Sequence, residues 1–231
     1  MLDSAEFPEI ISMRALVVVL ITSASALTAL PARAGTVRGL VEVIEKKGRR
    51  APDVSDVVVW VEGPSVRPRP LTATMTMRGK AFEPRLLVVP VGGTVAFPNE
   101  DPILHNAFSL SAENRFDLDL YKKPTSRSYT FERPGIVRVY CNIHPQMSAL
   151  VVVRDSPFWA QSDANGRYSI ADVPAGTWVV KVWHERAGEI ERRVTVPESG
   201  EVAIDLTLDA SSYKRARHKN KFGKDYKQGR Y

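Results

Sequence analysis

Apolar and polar positions alternate with a period of two along most of the chain after Gly35, and no stretch keeps a helical period. "TVRGLVEVIE" reads as a strand, "KKGRRAPDVSD" as a polar loop, and "VVVWVEG" (Val57 to Gly63) as a second strand. "PSVRPRP" follows, extended and unable to pair in the middle of a sheet. From Leu71 the strands become short. "TATMTM" places Met75 and Met77 on one face, and "RLLVVPVGGTVAFPN" gives a strand, a Gly-Gly turn and a strand. "SRSYTFE" puts Tyr129 and Phe131 together, and "PGIVRVYC" puts Val137, Val139 and Cys141 on one face with Arg138 and Tyr140 on the other. "SALVVV" closes this series, and "SAENRFDLDLYKKPTS" is its one candidate for a loop or short helix.

Beyond Trp159 the style changes. The Asn-Gly pair in "SDANGRYSI" signals a hairpin, and "DVPAG" another turn. "TWVVKVWHE", "ERRVTV" and "EVAIDLTL" are strands, the last with Val202, Ile204, Leu206 and Leu208 on one side. The expected fold class is all-β.

Composition alters this in two places. From Met13, "MRALVVVLITSASALTALPARAG" has a minimal positive start, an apolar stretch and a small-x-small site at Ala32 and Ala34, the pattern of a cleaved export leader. Residues 1–34 are therefore expected to be a signal peptide, with translation starting at Met13 because Asp3, Glu6 and Glu9 are wrong for a leader. The expected compartment is the periplasm. An uncleaved anchor is the weaker reading, since Thr22, Ser23, Ser25 and Thr28 dilute the apolar run. The net charge of +6 belongs to the other end. Residues 211–231 hold eight Lys/Arg against one Asp, while the body from Gly35 to Ala210 is neutral. This basic tail, 210–231, is expected to be disordered or docked along a surface.

An exported chain with one cysteine makes no internal disulfide, so burial or metal ligation of Cys141 would protect it. In "YCNIHPQMSA", His144 follows three residues after Cys141 and Met147 three after that; His105 lies in "PNEDPILHNAFS". One thiolate, two imidazoles and a thioether form a donor set that suits copper in both oxidation states. Zinc is compatible with His2Cys, but the thioether favours copper. Singly, each residue has a plain alternative: a core thiol, loop histidines, a core-filling methionine.

"MRGKAFEPRLLVVPVGGTVAFPNEDPILHNAFS" followed by "YTFERPGIVRVYCNIHPQM" resembles the cupredoxin family of blue copper proteins, over about Leu71 to Arg154. The C-x2-H-x2-M spacing is similar to that of amicyanin, and the chain looks like exported methylamine-utilisation or plastocyanin-like proteins. The resemblance implies a Greek-key β-sandwich at 70–155 with one type 1 copper. Its equatorial ligands would be His105, Cys141 and His144, with Met147 axial. Asn106 would tie the two ligand loops together, and the edge of His144 would pass electrons to a redox partner docking there. "SDANGRYSIADVPAGTWVVKVWHE" resembles the carboxypeptidase regulatory-like, or transthyretin-like, sandwich, and "TVRGLVEVIEKKGRRAPDVSDVVVWVEG" fits its beginning. The expectation is a discontinuous second sandwich, 36–66 plus 158–209, with the copper domain inserted in it or joined to it.

Tyr140 and Asn142 flank the cysteine where multicopper oxidases place histidines, and only His184 and His218 remain for another centre. A one-electron carrier is thus favoured over an enzyme. Copper delivery, or a metal-free structural module, are the other readings. "DANG" lacks the later ligands of a calcium loop. His184 reads as structural and His218 as solvated, and Trp60, Trp159, Trp178 and Trp183 as packing residues rather than a sugar platform. The tail suits an acidic partner or anionic membrane, not nucleic acid in an exported protein.

Overall fold

The computed structural model describes residues 33–214 and 218–226. The leader expected at 1–34 lies almost wholly outside the described residues, so it stays a sequence expectation. The described residues form one compact unit, all-β apart from two single-turn 3-10 segments. No helix among the described residues is long and apolar enough to cross a membrane.

The chain begins with β1 (Ala34–Ile44) and β2 (Val58–Glu62). Ten strands follow: β3 (Thr72–Thr74), β4 (Thr76–Arg78), β5 (Ala81–Glu83), β6 (Leu86–Pro90), β7 (Gly93–Pro98), β8 (Phe108–Ser109), β9 (Phe116–Asp117), β10 (Ser126–Phe131), β11 (Gly135–Tyr140) and β12 (Ser148–Arg154). The last six are β13 (Trp159–Gln161), β14 (Arg167–Pro174), β15 (Gly176–His184), β16 (Gly188–Val196), β17 (Glu201–Ala203) and β18 (Leu206–Asp209).

Pairing joins the two ends of the chain. β1 lies between β14, antiparallel, and β17 and β18, both parallel. β2 lies between β13 and β15, and β16 extends that sheet. The middle of the chain pairs with itself, as a β6-β12-β11-β8-β9 sheet, a β10-β7-β3 sheet and the small β4-β5 ribbon.

These sheets stack with three apolar layers between them. Val37, Val41, Ile170 and Leu208 of the β1 sheet meet Val59, Val61, Val180 and Val182 of the β2 sheet. The opposite face of β2, Val58 and Trp60, meets Leu86, Val88, Leu150 and Val152 of the β12 sheet. The far side of β12, Ala149, Val151 and Val153, packs with Met75, Met77, Phe97 and Phe131. β2 and β12 are thus buried on both faces. That is why "VVVWV" and "LVVV" are unbroken apolar runs, whereas β14 and β16 alternate. Trp60 and Trp183 fill the middle layer, Trp159 and Trp178 are half-buried against the cores, and the Arg154 guanidinium sits 4.3 Å over the Trp60 ring.

The Asn-Gly segment differs from its expectation. β13 and β14 pair with different partners, so the turn carries the chain from one sheet to the other and closes no hairpin. Asp163 builds it: its Oδ1 accepts the amides of Asn165 and Arg167, and its carbonyl accepts that of Gly166. Gly166 has φ +84, and a Cβ there would sit 2.1 Å from the Val41 carbonyl oxygen. The Gly-Gly turn does the same, passing from β6 in one sheet to β7 in another. In the 112–117 region the structure has a 3-10 turn, Ala112–Asn114, and the short β9.

Candidate metal centre

Two loops at one end of the middle sheets carry the site. The first runs from β7 to β8. Asn99, buried at its start, donates through Nδ2 to the Ile103 and Tyr121 carbonyls and accepts the Asp101 amide on Oδ1. His105 then bridges Tyr121 by two backbone hydrogen bonds, of 3.0 and 2.8 Å, and the Tyr121 hydroxyl donates to the Phe97 carbonyl. With its backbone fixed, the His105 ring is aimed inward at no exposure.

The second loop leaves β11 at Cys141 and enters β12 after Met147. The Met147 amide donates to the His144 carbonyl at 3.0 Å and the Cys141 amide to the Met147 carbonyl at 3.3 Å, closing a tight turn. Period two along β11 puts Cys141 on the core face with Val137 and Val139. Met147 is fully buried in the same core.

The Nδ1 atoms of His105 and His144 are 2.9 Å apart. Cys141 Sγ lies 3.6 Å from Nδ1 of His144 and 4.0 Å from Nδ1 of His105. Among the described residues this trio is the group of His, Cys or acidic side chains placed to hold a metal ion. A first-row ion bonded to sulfur and nitrogen at about 2.0–2.3 Å, in a three-donor plane, needs donors about 3.5 Å apart. The three separations, 2.9, 3.6 and 4.0 Å, bracket that spacing, so small ring and thiol adjustments let the residues fit such an ion.

The surroundings act differently on the two kinds of ligand. Burial lowers the pKa of His144, with the Lys80 charge adding to it, which favours the neutral ring that a metal ion needs. Burial raises the Cys141 thiol, against the opposing pull of the Asn106, Ile143 and His144 amides aimed at the sulfur. Those amides are placed to stabilise a thiolate once a cation compensates its charge.

Asp101 is the site residue that sequence reasoning missed. Its Oδ2 accepts from His105 Nε2 at 2.8 Å, which fixes the tautomer and leaves Nδ1 bare toward the centre. The same carboxylate accepts the Gly79 and Lys80 amides from the β4–β5 turn. Burial pushes its pKa up, but these three donors outweigh that and hold it below the usual carboxylate value. Its position four residues before His105 was the available signal.

Asn106 joins the loops: its Oδ1 accepts the Asn142 amide at 2.7 Å and its Nδ2 donates to Asp117. His184 is far along β15, buried, with Nδ1 unpartnered. His218 is not a solvated tail residue. It stacks on Tyr140 with ring centroids 4.1 Å apart and an interplanar angle of 13°.

No family model matches the chain, and no curated protein does. Solved structures similar to part of it include a purple cupredoxin from Nitrosopumilus maritimus, at 26% identity and TM-score 0.33, covering 36% of this chain and 99% of that one. A copper-containing nitrite reductase from Thermus scotoductus is similar at 29% identity and TM-score 0.35; the match covers 42% of this chain but only 25% of the reductase. A methionine-to-alanine mutant of amicyanin in its Cu(I) form is similar at 22% identity and TM-score 0.34, over 42% of this chain and 98% of that one.

Proposed function

We propose that this chain is a mononuclear type 1 copper protein that carries single electrons, acting in the periplasm after removal of residues 1–34. The observation that supports it is the convergence of the Cys141 sulfur with one nitrogen each of His105 and His144 in a buried pocket. Met147 closes the same turn and is the axial donor in this reading. Held by these donors, copper supplies a reversible one-electron couple.

The chain's own part is to hold geometry and exclude water. Asp101 orients His105, Asn106 ties loop to loop, and three amides face the sulfur. The ligand side chains are at most 5% exposed, which suits retention of the ion better than its delivery to another protein. His144 is the most exposed of them, and Ile103 and Leu104 beside His105 present apolar surface. A redox partner docks on this end in our reading, and electrons pass through the His144 edge. The middle segment, 70–155, is the cupredoxin domain. The sandwich built from 36–66 and 158–209 is carboxypeptidase regulatory-like and carries it.

The test is to add Cu(II) to the purified mature protein. Intense thiolate-to-copper absorption in the visible range, lost in Cys141→Ser, is the expected result. A colourless protein that retains no copper overturns the reading.

A further inference from the structure

The tail does not stop at decorating the molecule with charge. Residues 218–226 lie against the loop that carries Cys141 and His144. Asn220 organises the segment locally: its Oδ1 accepts the Phe222 and Lys224 amides, its amide donates to the Lys224 carbonyl, and Gly223 completes the turn at φ +72. The Lys219 ammonium pairs with Asp225 across the turn. A lysine-rich stretch with few aliphatics thereby acquires a fixed shape.

From that shape, three residues reach the ligand loop. The Tyr226 hydroxyl donates to the Cys141 carbonyl at 2.9 Å. His218 Nε2 donates to the Pro145 carbonyl at 2.6 Å, while its ring stacks on Tyr140. The Lys221 amide donates to Asn142 Oδ1 at 3.0 Å, and its ammonium pairs with Asp117. Asp117 is the residue that Asn106 also holds, and Asn106 accepts the Asn142 amide. Lys221, Asp117, Asn106 and Asn142 therefore form a closed ring of hydrogen bonds. It fastens the tail to both ligand loops at once.

We propose that His218–Tyr226 is a strap that holds the 141–147 loop shut over the metal centre, with Tyr226, His218 and Lys221 as its positioning residues. The bonds fall on the Cys141 and Pro145 carbonyls and on the Asn142 side chain, all in the segment that must swing outward for the Cys141 sulfur to meet solvent. Each such bond adds to the free energy of opening. The strap concerns the loop itself. Its effect on copper retention rests on the reading of the previous subsection.

The test compares four proteins: the full mature chain, a chain ending at residue 217, Tyr226→Phe, and Lys224→Gln as a charge control, since no bond links the Lys224 side chain to the loop. The first readout needs no metal. The Cys141 thiol of the apo protein attacks 4,4′-dithiodipyridine, forming a mixed disulfide and releasing thiopyridone, which is followed by its absorbance at one pH. Loss of the Tyr226 hydrogen bond is expected to speed this reaction about fivefold, and loss of the whole segment about thirtyfold or more. Lys224→Gln should match the full chain. Melting of each variant by circular dichroism separates loop opening from global unfolding.

The second readout is copper loss from the loaded proteins to a Cu(I) chelator, together with the position of the thiolate-to-copper band. Faster loss in the same order and a shifted band in the truncated chain are expected. Equal thiol reactivity in the full chain, the truncation and Tyr226→Phe overturns the strap. A full chain that gives no thiolate-to-copper band, while the order of thiol reactivity holds, overturns the copper reading and leaves the strap standing.

Discussion

Asp101 spends one carboxylate on three donors from two loops, and the histidine it orients contributes a donor atom on its other side. Outer partners of this type set ring orientation and ligand basicity. Asp101→Asn keeps the size but removes the charge and exchanges half of the acceptor capacity for a donor. We expect copper affinity, measured by competition with a chromophoric chelator, to fall about 10–100-fold. The thiol adds a pH dependence. Because burial raises the Cys141 pKa, the apo site holds a proton that binding must release. Affinity should therefore weaken as pH falls, by about tenfold per unit below that raised pKa. The same competition run at several pH values measures this slope.

At the scale of strands and turns, alternation made β11 and its core face legible: Val137, Val139 and Cys141 point where period two puts them. The juxtaposition of Cys141 and His144 was legible through tight local spacing, and Met147 lies buried in the same turn. Asp101 was not, because a carboxylate on a loop reads as ordinary solvated charge until the fold delivers two amides and an imidazole to it. The destination of each turn was also hidden. Asn-Gly and Gly-Gly announce reversal of the chain, but whether the next strand pairs with the last or crosses to another sheet depends on distant partners. Gly166 shows what the crossing demands, since the turn brings it against the Val41 carbonyl. Gly166→Ala should destabilise by more than about 2 kcal/mol in urea unfolding, from the clash added to the left-handed backbone. Gly48, at φ +70 with open space around it, should lose only about 1 kcal/mol on the same substitution, the backbone cost alone.

Across the whole molecule, stability acquires an acid edge from His184. Burial lowers its pKa to about 4, from an ordinary value near 6.5, with the Arg186 charge adding to the effect. The unfolded chain therefore takes up this proton first as pH falls. The stability that His184 contributes is complete above about 6.5 and is lost progressively down to about 4, by no more than about 3 kcal/mol. Urea midpoints of the apo protein at pH 7, 5.5 and 4.5 should show the decline, and His184→Leu should flatten it. A wild-type profile that stays flat across this window would count against a buried neutral ring.

The long-range pairing of β1 and β2 also dictates a timetable. Their partners β13, β14, β15, β17 and β18 are synthesised about a hundred residues or more later, after every strand of the middle sheets has emerged. The ligand loops can thus be assembled while "VVVWV" still waits with both edges bare, a ribbon prone to recruit a neighbouring chain. A message or a protease that ends the chain before β13 leaves that ribbon permanently without its mates, so truncated products should aggregate rather than persist as half-built proteins.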